Sequence, residues 1–179
     1  MKLTLSQVES LANELIAFHT AAGDIPTGWT FKFNRQTSAV GLCVYRDRTI
    51  QVSKKWAEVL DEKIIKNTIL HEIAHAITPG AKHGPLWRQA CVRIGARPET
   101  CTRVGDEAAK QVFDTYKYAI VLLDGGKLEV VGQRARVGRS LRTCHITGRP
   151  ETAGKVFYIH KEHLSHPDAA QKVFYHKYR

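Results

Sequence analysis

The chain has 179 residues, 43% hydrophobic and 25% charged, which is the balance of a globular protein long enough to bury its own core without staples. No run approaches the roughly 18 apolar residues of a membrane span, and Ser6, Gln7, Glu9 and Glu14 interrupt the N-terminal stretch where a secretory signal would be apolar throughout. The net charge of +10 is uneven, with 13 Lys and Arg against 6 Asp and Glu in residues 110–179, so the expectation is a cytoplasmic, membrane-free protein whose second part faces a polyanion.

In chain order, Leu5, Val8, Leu11, Leu15, Ile16 and Phe18 recur at helical spacing, and Thr4 or Ser6 can cap that helix. Gly23, Pro26 and Gly28 end it. WTFKFNR (29–35) alternates as a strand does. AVGLCVYRDRTIQVS (39–53) reads as a hairpin turning at Arg46-Asp47-Arg48. Behind a cap at Ser53 or Asp61, Ile64, Ile65, Thr68, Ile69, Ile73, Ala76 and Ile77 mark a second helix, which Pro79-Gly80 stops. A third helix starts at Pro85, a favoured first-turn position, and runs through Trp87, Ala90, Cys91 and Ile94 to Gly95. The texture changes after Pro98. YKYAIVLL (116–123) and KLEVVGQ (127–133) flank Asp124-Gly125-Gly126 as a hairpin, RARVGRSLR (134–142) is a basic connector, and KVFYIH (155–160) is a further strand. We place a domain boundary near residue 110, giving 1–109 and a basic, β-rich 110–179.

Cys43, Cys91, Cys101 and Cys144 are scattered, with no C-x-x-C pair, and are expected as free thiols, two or three of them buried. The stretch with the most chemistry is HEIAHAITPGAKHGPLW (71–87). His71 and His75 are four apart within the second predicted helix, so their imidazoles share one face and can grip one ion. Glu72 is turned about 100° away and can act on a metal-bound water instead of the metal. A hydrolytic zinc site needs three protein ligands, an open position and a general base. His83, set between the Pro79-Gly80 break and Gly84-Pro85, is the expected third ligand, with Glu99 and Glu107 as the alternatives. Thr78 and Ala81 stand where a metzincin would have Gly and His, which excludes that class.

HEIAHAITPGAKHGPLWRQACVRIGA resembles the core of the SprT-like zinc metalloproteases, the group that includes Spartan, whose pattern is H-E-x-x-H, a short insert, then H-G-P and an aromatic-containing helix. The resemblance spans residues 1 to about 105. It implies an α+β, zincin-like minimal metalloprotease core: a helix, a small β-sheet, the HExxH helix and a following helix. It further implies one catalytic Zn²⁺ on His71, His75 and His83, with Glu72 as the catalytic base. Such proteins often carry a C-terminal zinc ribbon. Residues 116–160 have its strand-turn-strand outline without the cysteine pairs, so a small β appendage that has lost its metal is expected; Cys144 and His145, with His160, His163 and His166 further on, are the available donors, and a second site would use Cys144, His145, His160 or His163.

The resemblance and the basic second part together imply a protease acting on DNA-associated proteins, with a protein substrate and single- or double-stranded DNA as partners, working as a monomer. Arg134, Arg136, Arg139 and Arg142 are the candidate phosphate contacts, with Lys127 and Arg149 nearby. Tyr116, Tyr118 and Phe157 suit either base stacking or the core of the hairpin, and their strand pattern favours the core. Two other readings stay open on the sequence. One is a non-enzymatic nucleic-acid-binding protein with a structural or residual zinc; the other is a metalloprotease with no link to DNA.

Overall fold

A computed structural model describes residues 1–100, 104–134 and 136–175. The chain divides into two compact units, Met1–Ala109 and Lys110–Arg179. A helix absent from the sequence reading, α5 (Asp106–Asp114), runs across the division.

In the first unit, α1 (Leu5–Ala21) opens on a capping box. The Gln7 N–H donates to Thr4 Oγ1 (3.3 Å), while the Thr4 N–H donates to Gln7 Oε1 (2.9 Å). The face α1 buries is Val8, Ala12, Ile16 and His19, and Phe18 is left 66% exposed. Of the stripe read in the sequence, Val8 and Ile16 are buried, Leu5, Leu11 and Leu15 are half-buried, and Ala12 and His19 take the remaining inward positions. His19 goes inside because its Nδ1 lies 2.7 Å from Asp24 Oδ2, and Arg93 pairs with the other oxygen of that carboxylate. A buried polar group is tolerated where it is paired. These pairs hold the Asp24 carboxyl below its usual range, the His19 bond first and the Arg93 bond second.

Strands β1 (Thr30–Asn34), β2 (Gly41–Val44) and β3 (Thr49–Ser53) form one sheet in the order β1-β3-β2. The β2–β3 hairpin is antiparallel, as its turn suggests, whereas β1 pairs with β3 in parallel, Phe31 beside Ile50 and Phe33 beside Val52. β3 is therefore central, with Ile50 and Val52 fully buried, and β2 is an edge. A four-residue helix, α2 (Lys54–Ala57), buries Trp56.

Asp61 caps α3 (Glu62–Ile77) by accepting from the Ile64 N–H at 3.1 Å. Ile65, Ile69 and Ile73, one turn apart, are all wholly buried. The helix then buries Leu70, Ala74 and Ala76 on its other sides, so it runs through the middle of the unit. Thr78 ends it, and α4 (Pro85–Arg93) follows with proline in its first turn. Leu70 and Ala74 of α3 meet Trp87, Ala90 and Cys91 of α4 in one cluster.

In the second unit, β4 (Tyr118–Asp124), β5 (Lys127–Arg134) and β6 (Val156–His160) form an antiparallel sheet in the order β5-β4-β6. Gly125 and Gly126 both take positive φ, 54° and 80°, in the two-residue hairpin loop, where only such residues turn without strain. Ala119, Val121 and Ile159 pack with Ala169 in one cluster, while Val156 and Tyr158 pack with Leu141 in another. Among the described cysteines, Cys91 is buried and Cys43 and Cys144 are half-buried, all three as free thiols; Cys101 lies outside the described residues. No described helix is long and apolar enough to cross a membrane.

Candidate metal centre

Helical spacing sets His71 and His75 one turn apart near the C-terminal end of α3. The chain leaves the helix at Thr78, passes Gly80 (φ 82°) and Lys82 (φ 49°), and tightens into a turn closed by the Gly84 N–H donating to the Ala81 carbonyl (2.9 Å). That reversal brings His83 back over the helix. His83 Nε2 lies 3.2 Å from His75 Nε2 and 3.3 Å from His71 Nε2. Nitrogens about 2.0–2.1 Å from a zinc ion at tetrahedral corners stand roughly 3.3–3.4 Å apart, so the observed spacings fit one such ion. Among the described residues, this is the one group of three His, Cys, Asp or Glu side chains close enough to share a metal.

The rings are held from behind. Trp87, fully buried, packs against all three imidazoles, with ring centroids 4.8 Å from His71, 5.3 Å from His75 and 4.6 Å from His83. The Glu99 main-chain carbonyl accepts a hydrogen bond from the His71 ring. Burial, and then the neighbouring imidazoles, push His71 down to about 4; burial and then His83 push His75 down to about 4. Both are therefore neutral, with lone pairs free, at physiological pH.

Glu72 is 7% exposed, and burial raises its carboxyl to about 8 against the opposing bond from the Cys43 main-chain N–H. Gly41 makes this seat possible. A Cβ at Gly41 would stand 2.6 Å from Glu72 Oε1 and 2.6 Å from Thr68 Cγ2, so any larger residue would displace either β2 or the Glu72 side chain. The Tyr45 hydroxyl donates to the His75 carbonyl at 3.1 Å, closing the other side. Of these contributors the sequence placed Trp87 in the helix that follows the histidines and gave no sign of Gly41, Cys43, Tyr45 or the Glu99 main chain. An isolated glycine inside a strand pattern is a known sign of close backbone approach. A main-chain carbonyl or N–H leaves no sign at all. The Glu99 and Glu107 side chains, held as alternative ligands, do not join the histidine group.

The cleft opens to both sides of the imidazoles, as cavities of about 340 and 480 Å³ that share Leu42, Glu72, His75 and His83. Trp56 lines the first; Tyr45 and Lys82 line the second.

In the second unit, Arg134, Arg136, Arg139 and Arg142 are all exposed. Val137 and Leu141 pack inward beneath them. Tyr158 pins the segment: its hydroxyl donates to the Arg139 carbonyl (3.2 Å) and accepts from the Gly138 N–H (3.3 Å). Tyr116 is buried, Tyr118 packs on His160 and Phe174, and Phe157 packs on Tyr175, so these aromatic rings serve the core. Cys144, His145, His160 and His163 form no metal-sized group among the described residues.

A search of curated proteins finds no match to the chain. Among solved structures, the crystal structure of the metallopeptidase zymogen of Methanocaldococcus jannaschii jannalysin is similar at 14% identity and a TM-score of 0.41, covering 59% of this chain and 88% of that one. So distant a likeness adds nothing to the assignment. The profile of the SprT-like family matches residues 8–106, more than half of the chain and all four of His71, Glu72, His75 and His83, and the chain belongs to the SprT-like family.

Proposed function

We propose that the protein is a zinc-dependent endopeptidase, with a zincin-like core, that cleaves proteins held at DNA. The observation that carries the reading is the triangle of Nε2 atoms, two of its edges 3.2 and 3.3 Å, with a buried glutamate beside it. Three neutral imidazoles suit zinc better than magnesium or calcium, which take oxygen ligands. When bound there, the ion supplies positive charge that acidifies a water and polarises a peptide carbonyl. Glu72, seated by Gly41 and the Cys43 N–H, takes the proton from that water and delivers it to the leaving amide nitrogen. β2 is the edge strand beside this seat, so its open main-chain edge can hold an extended peptide by strand addition. The second unit is the appendage of ribbon-like outline, built on its three-stranded sheet and two apolar clusters.

The DNA part of the reading rests on how charge is distributed in that unit. Each of its six acidic residues has a cation or imidazole beside it: Asp114 with Lys161, Asp124 with Lys155, Glu129 and Glu151 with Arg149, Glu162 with His160 and His163, and Asp168 with His166. Arg134, Arg136, Arg139 and Arg142 make no ion pair among the described residues, which leaves their charge for phosphates. Measuring zinc content and cleavage of a DNA-bound protein, with and without DNA, tests the whole. Wild type should hold one zinc and cleave, Glu72→Gln should hold zinc without cleaving, and His83→Ala should lose zinc. Cleavage by Glu72→Gln at the wild-type rate would refute the assigned role.

A further inference from the structure

The sheet of the second unit has two edges, β6 and β5, which differ in what covers them. Beside β6, the Tyr158 N–H donates to the Phe174 carbonyl (2.7 Å) and the Phe174 N–H donates to the Tyr158 carbonyl (2.9 Å), so the chain itself lies along that edge. Beside β5, no main-chain bond reaches anything but β4 among the described residues. The Gln133 carbonyl takes a bond from its neighbour, the Arg134 guanidinium (2.8 Å). Unpaired N–H and C=O groups along an edge are a template for another strand.

The hairpin fixes which groups the β5 edge offers. Lys127 faces Asp124 across the two-residue loop, and the closing pair of such a loop exchanges both main-chain bonds. Bonded and non-bonded pairs alternate from there, so the N–H and C=O of Leu128 and Val130 point away from β4. Val131 is the extra residue of a bulge, lying between the Val121–Val130 and Ile120–Gly132 pairs. Side chains sort by face in the same way. Lys127, Glu129 and Arg134 stand across from Asp124, Leu122 and Tyr118 on one face, and Leu128 and Val130 across from Leu123 and Val121 on the other. On the second face Leu128 packs on the cluster around Val121, while Val130 is left 50% exposed. On the first, Glu129 is taken by Arg149 (3.2 Å), and Lys127 and Arg134 are exposed with no ion pair among the described residues.

We infer that β5 is a docking edge that takes an extended peptide of a partner protein as the sheet's fourth strand, with acidic side chains on the Lys127–Arg134 face alternating with apolar ones on the Val130 face. The inference concerns the second unit alone and stands apart from the endopeptidase reading. The outward groups of Leu128 and Val130 supply the main-chain bonds, Val130 gives the apolar side chains a surface, and the two free cations choose the sign of the rest. A second copy of this chain is the poorer occupant. Antiparallel self-pairing carries Lys127 of each copy toward Arg134 of the other, and it joins two units that each hold 13 Lys and Arg against 6 Asp and Glu. Cations and a bulge on an edge strand are the devices that keep like edges apart, and an acidic strand meets no such barrier. Nucleic acid can answer the cations, but it offers Val130 no apolar side chain and the strand no main-chain ladder.

The test is fluorescence anisotropy of a labelled peptide of alternating glutamate and valine, bound to the full chain carrying Glu72→Gln, in about 0.15 M salt. Saturable binding is expected. N-methylating one alternate set of peptide amides, which removes main-chain donors and keeps every charge, should weaken it roughly 10-fold or more, and the other set should have little effect. A peptide with lysine in place of glutamate should bind as weakly as the methylated one. Val130→Pro deletes an outward N–H and spares the bonds to β4, a change that edge strands accept, and it should weaken binding roughly 10-fold at wild-type melting. Where the proline lowers melting, Lys127→Glu, a surface change, decides the point by the same loss. No binding at millimolar peptide overturns the inference, as does equal binding of the methylated and unmethylated peptides. A loss from Arg139→Ala with Arg142→Ala that Val130→Pro and Lys127→Glu do not match would make the attraction one of general basic charge, the surface a duplex would use, and overturns it too. Self-association of the wild type in sedimentation, abolished by Val130→Pro, would give the edge to a second copy instead.

Discussion

Replacing Gly41 with alanine adds one methyl group, and the structure says where it lands. The new Cβ would lie 2.6 Å from Glu72 Oε1, 2.6 Å from Thr68 Cγ2 and 2.9 Å from Glu72 Cγ. Ordinary carbon contacts are about 3.5–4.0 Å, so two side chains on α3 must each give way by about 1 Å at once. Thr68 cannot do so cheaply. It is 1% exposed, β-branched, and its hydroxyl donates to the Ile64 carbonyl at 2.9 Å. Either β2 lifts from the helix, loosening the Cys43 N–H bond to Glu72, or Glu72 swings out of its seat. Overpacking of this kind costs about 1–3 kcal/mol, and at roughly 4–8 °C per kcal/mol for a domain of this size the melting temperature should fall by about 5–20 °C. The catalytic consequence is larger. A base misplaced by about 1 Å typically costs on the order of 100-fold in rate. The histidines hold their own positions, so zinc content should stay at wild type. The assay is therefore threefold, comprising melting by circular dichroism, zinc by mass spectrometry and kcat on a cleaved substrate. Gly132→Ala, where a Cβ would meet Ile120 at an ordinary 3.7 Å, is the control that should leave kcat alone. A Gly41→Ala protein with wild-type kcat and melting would refute the seat we assign to Glu72.

Three other outcomes follow from the same structure. Chelating the zinc should lower the melting temperature by on the order of 15 °C, since a ligand at 1,000 times its Kd stabilises by about 4 kcal/mol; unchanged melting after verified zinc removal would count against a resident ion. In the chelated protein, Glu72 is raised to about 8 from an ordinary 4.5, so the folded state holds the extra proton and stability should decline as pH rises from about 4.5 through 8. His71 and His75, lowered to about 4 from 6.5, act in the opposite sense, with stability lost as pH falls from about 6.5 to 4. Glu72→Gln should flatten the alkaline decline alone, as read from melting temperatures between pH 4 and 9. Finally, Arg139→Ala with Arg142→Ala should reduce the slope of log K against log salt for duplex DNA by roughly 2, and a flat slope in the wild type would remove DNA from the reading.

What could be read from the sequence, and what could not, divides along a physical line. Helices α1, α3 and α4 announce themselves by apolar recurrence together with a cap or a proline at their starts, and the glycine pair at 125–126 marks its hairpin. α2 spans four residues, too few for any periodicity, and α5 follows a stretch poor in apolar residues, so neither stood out. The parallel pairing of β1 with β3 was also hidden. A hairpin turn dictates which strand β2 meets, but only packing against the rest of the unit decides which edge β1 takes. At the site, the grouping of His71, His75 and His83 was legible because side-chain identity and spacing carry it. The groups that orient these rings and Glu72 are a missing side chain at Gly41 and main-chain atoms of Cys43 and Glu99, which come from distant parts of the chain and have no residue-type signature.

The arrangement of the imidazoles is itself an argument about what the fold is for. The Nε2 atoms of His71 and His75 both lie close to His83 Nε2, at 3.3 and 3.2 Å. A neutral imidazole nitrogen holds either a proton or a lone pair, so His83 Nε2 can make a well-aligned hydrogen bond to only one of its two close neighbours at a time. Protonation would relieve this, but burial holds His71 and His75 neutral down to about pH 4. Rotation would relieve it too, but Trp87 backs all three rings and is itself fully buried. A core selected for stability alone would put aliphatic side chains here, as α3 does one turn earlier with Ile65 and Ile69. Local conflict that the surrounding structure enforces is the mark of a functional site. On the zinc reading, His71, His75 and His83 would each present an Nε2 lone pair to the ion, and packing on Trp87 would hold the three rings as a pre-set ligand group.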